Sequence, residues 1–338
     1  MAATDPAGPP VPQAPVAGPA IAPGQSVTVV VPATTANLGP GYDCLGLALG
    51  LHDTLTVTTT ADAGVHVDIE GEGAGCLPTD GNHLVARTIL ARWASAGAAP
   101  AGLRLHAHNV IPHGRGLGSS AAAIVSALTA ADALLPGALR RELAGRDPVF
   151  AAAARLEGHP DNVAPAVFGS LTLSLQDGDR ATSTALALDE AIVPVVAVPD
   201  VELSTRTARS LLPATVPHAT AAANGARVGL LVHALAGDPS LLLAATEDRL
   251  HQDHRAPAMP ASAQLIARLR AAGHAAVVSG AGPTVLVLAA SQDEARQVAA
   301  LIAAAPEPAA SAEAAGPAVS WRVLMPGVDR VGARLEAH

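Results

Sequence analysis

Pro112-His113-Gly114-Arg115-Gly116-Leu117-Gly118-Ser119-Ser120 is the stretch around which the rest of the chain is organised. Just before it, Leu103-Arg104-Leu105-His106-Ala107-His108-Asn109-Val110 alternates apolar and polar residues, the period of a half-buried strand. Just after it, Ser119 to Leu135 runs apolar without a breaker, which predicts a buried helix. The nine residues are therefore a glycine-rich turn between a strand and a helix. Three glycines at alternate positions allow positive φ and a close approach of backbone to a ligand. Main-chain N–H groups and the positive end of the following helix then form an anion site. A hydroxyl at the helix start either caps the helix or reaches a divalent cation. The plainer alternative is a glycine turn with a serine N-cap, because a glycine loop alone is a weak signal. Two common phosphate motifs are excluded. The P-loop needs a lysine after its last glycine, and all 20 basic residues of this chain are arginines. The dinucleotide fingerprint needs a spacing that Gly114, Gly116 and Gly118 do not have.

The chain of 338 residues is long enough for two domains and a sizeable core. Half its residues are apolar, yet its only aromatics are Tyr42, Trp93, Phe150, Phe168 and Trp321, so the core must be aliphatic and alanine-rich. A net charge of −9 argues against a nucleic-acid partner, which calls for a basic face. Cys44 and Cys76 have no metal spacing and make no disulfide framework, and no apolar run has the flanks of a membrane span. Residues 1–24 are rich in Ala, Pro and Gly and lack the charged start and apolar core of a signal peptide. They are predicted to be a disordered tail, and the protein to be cytoplasmic.

Along the chain, Ser26-Val27-Thr28-Val29-Val30-Val31 predicts a strand ended by Pro32. Ala33 to Gly46 predicts a turn-rich loop in which Asn37 and Asp43 are either ordinary turn formers or site residues. Leu55–Thr60 and Val65–Ile69 predict an antiparallel hairpin, and Asn82 to Leu90 a helix with Asn82 as its N-cap. After a helix over Pro148 to Glu157, the run Glu157-Gly158-His159-Pro160-Asp161-Asn162 crowds Glu157, His159, Asp161 and Asn162 together. That run is a surface turn or a site. A strand follows over Ser170 to Leu175. Near Ile192 the pattern changes to short strands alternating with long helices, as in a split βαβ, ferredoxin-like unit. Ser204 or Thr205 caps a helix carrying Arg206 and Arg209, and Arg255 lies in a second polar run. A guanidinium fork matches a carboxylate, whereas Arg206 and Arg249 suit a solvated face. His251 and His254 lack a third ligand, so no metal pair is expected. Ser279-Gly280-Ala281-Gly282-Pro283 joins the strands His274–Val278 and Thr284–Leu288. A helix from Gln292, a low-complexity loop and a strand over Val319 to Leu324 complete the chain.

Four of these segments resemble the motifs of the GHMP small-molecule kinases, and among them the homoserine kinases, in the same order. The fixed positions of Pro-x-Gly-x-Gly-Leu-Gly-Ser-Ser are all filled by Pro112, His113, Gly114, Arg115, Gly116, Leu117, Gly118, Ser119 and Ser120. Ala36-Asn37 with Gly41-Tyr42-Asp43, the Glu157-to-Pro165 run, and Ser279 to Pro283 with Thr284 match the others. The resemblance implies an α+β architecture, with an N-terminal ATP-binding domain (ribosomal protein S5 domain 2-like) over 25–190 and a ferredoxin-like C-terminal domain over 191–338. It implies ATP and Mg²⁺ as cofactors, L-homoserine as the small-molecule substrate, a place in threonine biosynthesis, no nucleic acid, no membrane, and a homodimer. By the same resemblance Asn37 and Asp43 hold the amino acid, Asn82 touches adenine, and Ser120 and Glu157 ligate Mg²⁺. His159 and Asn162 lie over the substrate, Thr205 lies near the transferred phosphate, and Arg209 with Arg255 binds the carboxylate. Ser279 to Pro283 forms a backing wall. Related kinases carry an aspartate base where Asn162 stands, so the implied catalysis rests on positioning and charge, with Asp161 the rival base. A mevalonate or shikimate kinase is the alternative within this fold. A non-catalytic nucleotide-binding regulator is the alternative outside enzymes, and the presence of Ser120 and Glu157 speaks against it.

Overall fold

Two antiparallel strands, β1 (Ser26–Asn37) and β2 (Gly41–Thr60), form the hairpin on which the first half is built. The computed structural model describes residues 20–304 and 319–336. β1 does not stop at Pro32. The register shifts between Pro32 and Ala33, a bulge that accommodates a residue with no N–H to donate, and the strand continues to Asn37. The predicted loop over Ala33 to Gly46 is thus mostly strand, tightened to a turn in which Asn37, Leu38 and Asp43 have φ of 70°, 50° and 56°. Non-glycine residues hold such angles only where their surroundings over-determine them.

The predicted hairpin of β2 with β3 (Gly64–Gly71) does not form. β4 (Gly102–Asn109) lies between them, antiparallel to β2 and parallel to β3, so this part of the sheet runs β1-β2-β4-β3. The apolar alternation of each strand is as read, but its partner is chosen by burial. Leu105 faces Val57 on one side and Val67 on the other, and all three lie in one apolar cluster. β5 (Leu171–Asp177) pairs with the near end of β2 and carries β6 (Arg180–Leu186).

The helix Ser119–Ala133 runs behind this sheet with ten of its fifteen residues buried, which its unbroken run of small apolar residues requires. Trp93, fully buried on the helix Leu84–Ser95, donates from Nε1 to Ala131 O at 2.9 Å, and Arg92 forks onto Asp132 at 2.7 and 2.9 Å. That helix begins at Leu84 with His83 at its N-cap. Asn82 is not the cap: its N–H and Nδ2 both donate to the Asp80 carboxylate.

The second half is a four-stranded antiparallel sheet from β7 (Val193–Pro199), β8 (Ala276–Val278), β9 (Val285–Ala289) and β10 (Trp321–Leu324). Its order, β10-β7-β9-β8, is that of a ferredoxin-like unit. The helices Pro260–Ala271 and Gln292–Ala303 bury Leu265, Leu269, Val298 and Ile302 against one face of it. The low-complexity loop predicted before β10 lies outside the described residues. Of the predicted tail, residues 20–24 are part of the fold. Ile21 is buried and its N–H donates to Ala99 O, while residues 1–19 lie outside the described residues. Among the described residues no helix is long and apolar enough to cross a membrane.

The chain then returns to the first sheet, where β11 (Arg334–Leu335) pairs with β1. Asp329 clasps this return. It accepts from the N–H groups of Val331 and Gly332 at 2.8 and 2.6 Å and faces His52 Nε2 at 2.7 Å. Burial alone pushes its carboxyl up, but His52 and the two N–H groups outweigh it and hold the pKa at about 2. A folded-state pKa below the ordinary 3.8 means stability that is complete above about pH 4 and drains away toward pH 2. Asp329→Ala is expected to remove on the order of 2 kcal/mol at neutral pH. It should also flatten the acid limb of the stability curve between pH 4 and 2, measured by urea unfolding.

Candidate active site

The glycine loop sits where the two halves meet. Gly114, Gly116 and Gly118 have φ of 63°, 78° and 69°. A Cβ on Gly118 would collide with Thr34 Oγ1, and one on Gly116 with the Ser279 carbonyl, so the loop tolerates only glycine there. Gly118, in the left-handed region, is itself the N-cap of the helix Ser119–Ala133, and no side chain caps that helix. The serine-cap alternative therefore fails. The first-turn N–H groups are left for an acceptor, as in an anion site. Within the loop, Leu117 is a core anchor, and Arg115 turns away to the carbonyls of His113, Pro199 and Asp200, tying the loop to the second half.

Two cavities share Ser119 and Ser120. The smaller, of about 140 Å³, is lined by Gly114, Gly116, Gly118 and every residue assigned above to the catalytic or substrate site: Asn37, Asp43, Ser120, Glu157, His159, Asn162, Thr205, Arg209 and Arg255. The larger, of about 370 Å³, is lined by apolar Val31, Leu55 and Pro78 with Asn82, His83 and His113 at hand.

In the smaller cavity Ser120 Oγ donates to Glu157 Oε2 at 2.8 Å. Gly158, with φ 85°, ends the helix Arg146–Glu157 in the left-handed region and so delivers Glu157 at its last turn. One hydroxyl and one carboxylate suit a hard cation that also takes phosphate oxygens and water. Among the described residues no three His, Cys, Asp or Glu side chains are grouped to hold a metal by themselves. Asn162 Oδ1 accepts from Thr34 Oγ1 at 2.8 Å, which leaves Nδ2 to donate. Asp161 is buried and spoken for: its Oδ1 accepts the Asn162 N–H at 2.9 Å and faces His159 Nδ1 at 2.8 Å. Burial by itself lowers the His159 pKa, but the hydrogen bond and charge of Asp161 prevail and raise it.

Opposite the loop, Arg209 forks onto Asp43 at 2.6 and 3.0 Å and donates to Tyr42 OH at 2.9 Å. Ser204 Oγ caps the helix Thr205–Ser210 by accepting the Thr207 N–H, which sets Thr205 at the cavity and Arg209 one turn on. Asn37 acts largely within the protein. Its Oδ1 accepts the Asp43 N–H, its Nδ2 donates to Gly280 O at 2.8 Å, and the turn is thereby stapled to the Ser279–Pro283 wall. Ser279 Oγ in turn donates to Gly116 O. Arg255 is 1% exposed; its Nη1 donates to Gly280 O and to His251 Nδ1. Its Nε has no partner, and among the described residues no carboxylate pairs with it. Burial pushes its pKa below the usual arginine value, yet a guanidinium stays charged. Asp43 and Asp248 favour that charge only from beyond ion-pair distance, and a buried cation with no paired carboxylate suits an anion.

The sequence reading gives no role to Thr34, weighs His251 only as a metal ligand and takes Tyr42 only as a motif position. Thr34 acts through Asn162 and His251 through Gly39, contacts far along the chain that leave no local signal. Tyr42, the single tyrosine of a chain poor in aromatics, could have been singled out on composition alone.

A ferredoxin-like half packed on a sheet that carries a glycine loop at a helix N-terminus is the architecture of the GHMP kinases. Residues 83–170 match the GHMP kinases N terminal domain and residues 230–306 the GHMP kinases C terminal domain. The homoserine kinase of Clavibacter michiganensis is 50% identical over 284 residues, covering 84% of this chain and 89% of that relative. That of Leifsonia xyli is 48% identical over 310 residues, 92% of each. The crystal structure of homoserine kinase from Cytophaga hutchinsonii aligns with a TM-score of 0.77 at 26% identity, over 92% of this chain and 97% of that one. The chain belongs to the homoserine kinase family of GHMP kinases.

Proposed function

We propose that this kinase transfers the γ-phosphoryl group of ATP to the side-chain hydroxyl of L-homoserine, giving O-phospho-L-homoserine and ADP, a step of threonine biosynthesis. One observation carries the reading. The small cavity is lined by the glycines of the loop and, with them, by the Asp43 carboxylate, Arg209 and the buried Arg255, which no carboxylate pairs among the described residues. Those three charged groups complement a zwitterion, with an ammonium for Asp43 and a carboxylate for the guanidiniums. A mevalonate- or shikimate-type acid has no ammonium to offer, and would leave Asp43 without a ligand group.

The halves 25–190 and 191–338 act as the two domains, corrected in that residues 20–24 and the returning β11 belong with the first half, and the site lies between them. The triphosphate lies along the loop from Gly114 to Ser120, against the open N–H groups of the helix, and the nucleoside enters the larger cavity beside Asn82 and His113. Ser120 and Glu157 would hold Mg²⁺, which supplies charge neutralisation at the phosphate oxygens. The acceptor oxygen bonds to the γ-phosphorus as the bond from phosphorus to the β–γ bridging oxygen breaks, and ADP leaves. Thr205 and His159 flank the transferred group. Asn162 cannot take a proton, and Asp161 is occupied by His159 and the Asn162 N–H. Catalysis therefore rests on alignment and on charge stabilisation of a loose transition state, the hydroxyl proton leaving late to a phosphate oxygen.

The test is ADP release with ATP and Mg²⁺ against L-homoserine, mevalonate, shikimate and L-threonine. Turnover with L-homoserine alone is expected. Turnover with a different alcohol would overturn the acceptor assignment and keep the kinase, and no turnover with any of them would overturn both.

A further inference from the structure

We infer that Tyr42 is a positioning residue: its ring sets the attitude of Arg209 and Arg255 together, and so sets the affinity for the acceptor. The inference rests on the proposed acceptor site. Arg255 Cζ lies 5.4 Å and Arg209 Cζ 5.7 Å from the centre of the Tyr42 ring. Both are within the range in which a ring quadrupole attracts a guanidinium. Arg209 is further fixed by its donation to Tyr42 OH at 2.9 Å and by its fork onto Asp43. Arg255 has no paired carboxylate among the described residues: it donates to Gly280 O and His251 Nδ1 and lies against the Tyr42 ring, while Asp43 and Asp248 act on its charge from beyond ion-pair distance. Two like charges converging on one small cavity repel, and the electron-rich ring is the shared group that offsets the repulsion.

The ring is itself held in place. It packs on His251 with centroids 5.3 Å apart, and His251 Nε2 bonds to Gly39 O at 2.9 Å. With Nε2 donating to that carbonyl, Nδ1 is the acceptor that Arg255 Nη1 needs, so the imidazole is neutral. Burial, which lowers the His251 pKa, favours the same state. Tyr42 follows the strained Asn37–Leu38 turn and precedes Asp43, itself at positive φ. The turn that carries Asp43 to the acceptor's ammonium therefore also delivers the ring to the pair that meets its carboxylate. Ring, arginines and Asp43 form one connected set of contacts.

The experiment compares Tyr42→Phe and Tyr42→Leu with wild type in steady-state kinetics, varying L-homoserine and ATP separately, with thermal melting as the check on folding. Tyr42→Leu should raise the homoserine KM on the order of tenfold, with kcat within about twofold and the ATP KM unchanged. Tyr42→Phe, which keeps the ring, should restore the KM to within about threefold of wild type. Tyr42→Met, close in length but without a π face, gives the same reading where the leucine variant fails to fold. An unchanged homoserine KM in the leucine or methionine variant overturns the inference, as does a fall in kcat with both KM values rising together. Arg255→Met, measured alongside, separates the two levels. If it too leaves the homoserine KM unchanged, the acceptor site is wrongly placed. If it alone raises that KM, the site stands and the role of Tyr42 falls.

Discussion

Glu157→Gln is expected to lower kcat on the order of 10³-fold while leaving the melting temperature and the homoserine KM close to wild type. The substitution keeps the shape of the side chain and an oxygen for Ser120 Oγ, whose bond to Glu157 Oε2 is 2.8 Å long. It removes the negative charge. A hard cation shared between one protein carboxylate, one hydroxyl and phosphate oxygens depends on that charge. Losing a metal's charge stabilisation in phosphoryl transfer costs several kcal/mol of barrier, with each 1.36 kcal/mol a factor of ten. Glu157 is only partly buried at the end of its helix, so little stability is at stake. Initial rates at saturating ATP and Mg²⁺ check the prediction. A variant that keeps more than about a tenth of the wild-type rate contradicts it.

Arg255→Met is expected to raise the homoserine KM on the order of 10²- to 10³-fold, with the ATP KM unchanged. Charge-assisted hydrogen bonds to a carboxylate contribute about 1.5–3 kcal/mol each, and a guanidinium can make two. The companion expectation has the opposite sign. Arg255 is almost wholly buried with an unpartnered Nε and no carboxylate pair among the described residues, so its charge is only partly offset, by Asp43 and Asp248 beyond ion-pair distance. Replacing a buried charge with an apolar side chain of similar length is often neutral or stabilising. Melting temperature should therefore stay the same or rise while acceptor binding is lost. Calorimetric titration with L-homoserine and a thermal melt on the same sample read both signs. Loss of stability together with retained affinity would mean that Arg255 is structural.

Much of the site was legible because its signals are local. The alternation in Leu103–Val110, the glycine spacing at 114, 116 and 118 and the unbroken apolar run after Ser119 each report on a few consecutive residues, and strand, loop and helix follow. The polar crowding at Glu157–Asn162 likewise marked residues that do line the cavity. What escaped is non-local. Alternation shows that β3 is a strand, but not that β4 comes between it and β2. Pro32 reads as a stop, and only the bulge in the register with β2 lets the strand pass through it. Asn82 has the chemistry of a cap, but the nearby Asp80 takes its N–H and its amide, and the helix begins after His83. Thr34 finds Asn162, and Tyr42 finds Arg209, across stretches that no local pattern spans. Arg115 shows the converse limit, since a cation inside the glycine loop is spent on holding that loop to the second half.

The most direct measurement is ³¹P NMR of the full chain with ATP, Mg²⁺ and L-homoserine, followed in time. Loss of the ATP γ resonance, growth of ADP, and a phosphomonoester signal split by the adjacent CH₂ group are expected, as a phosphate on the side-chain hydroxyl requires. Release of inorganic phosphate alone, or an unchanged ATP spectrum, would contradict transfer to that hydroxyl.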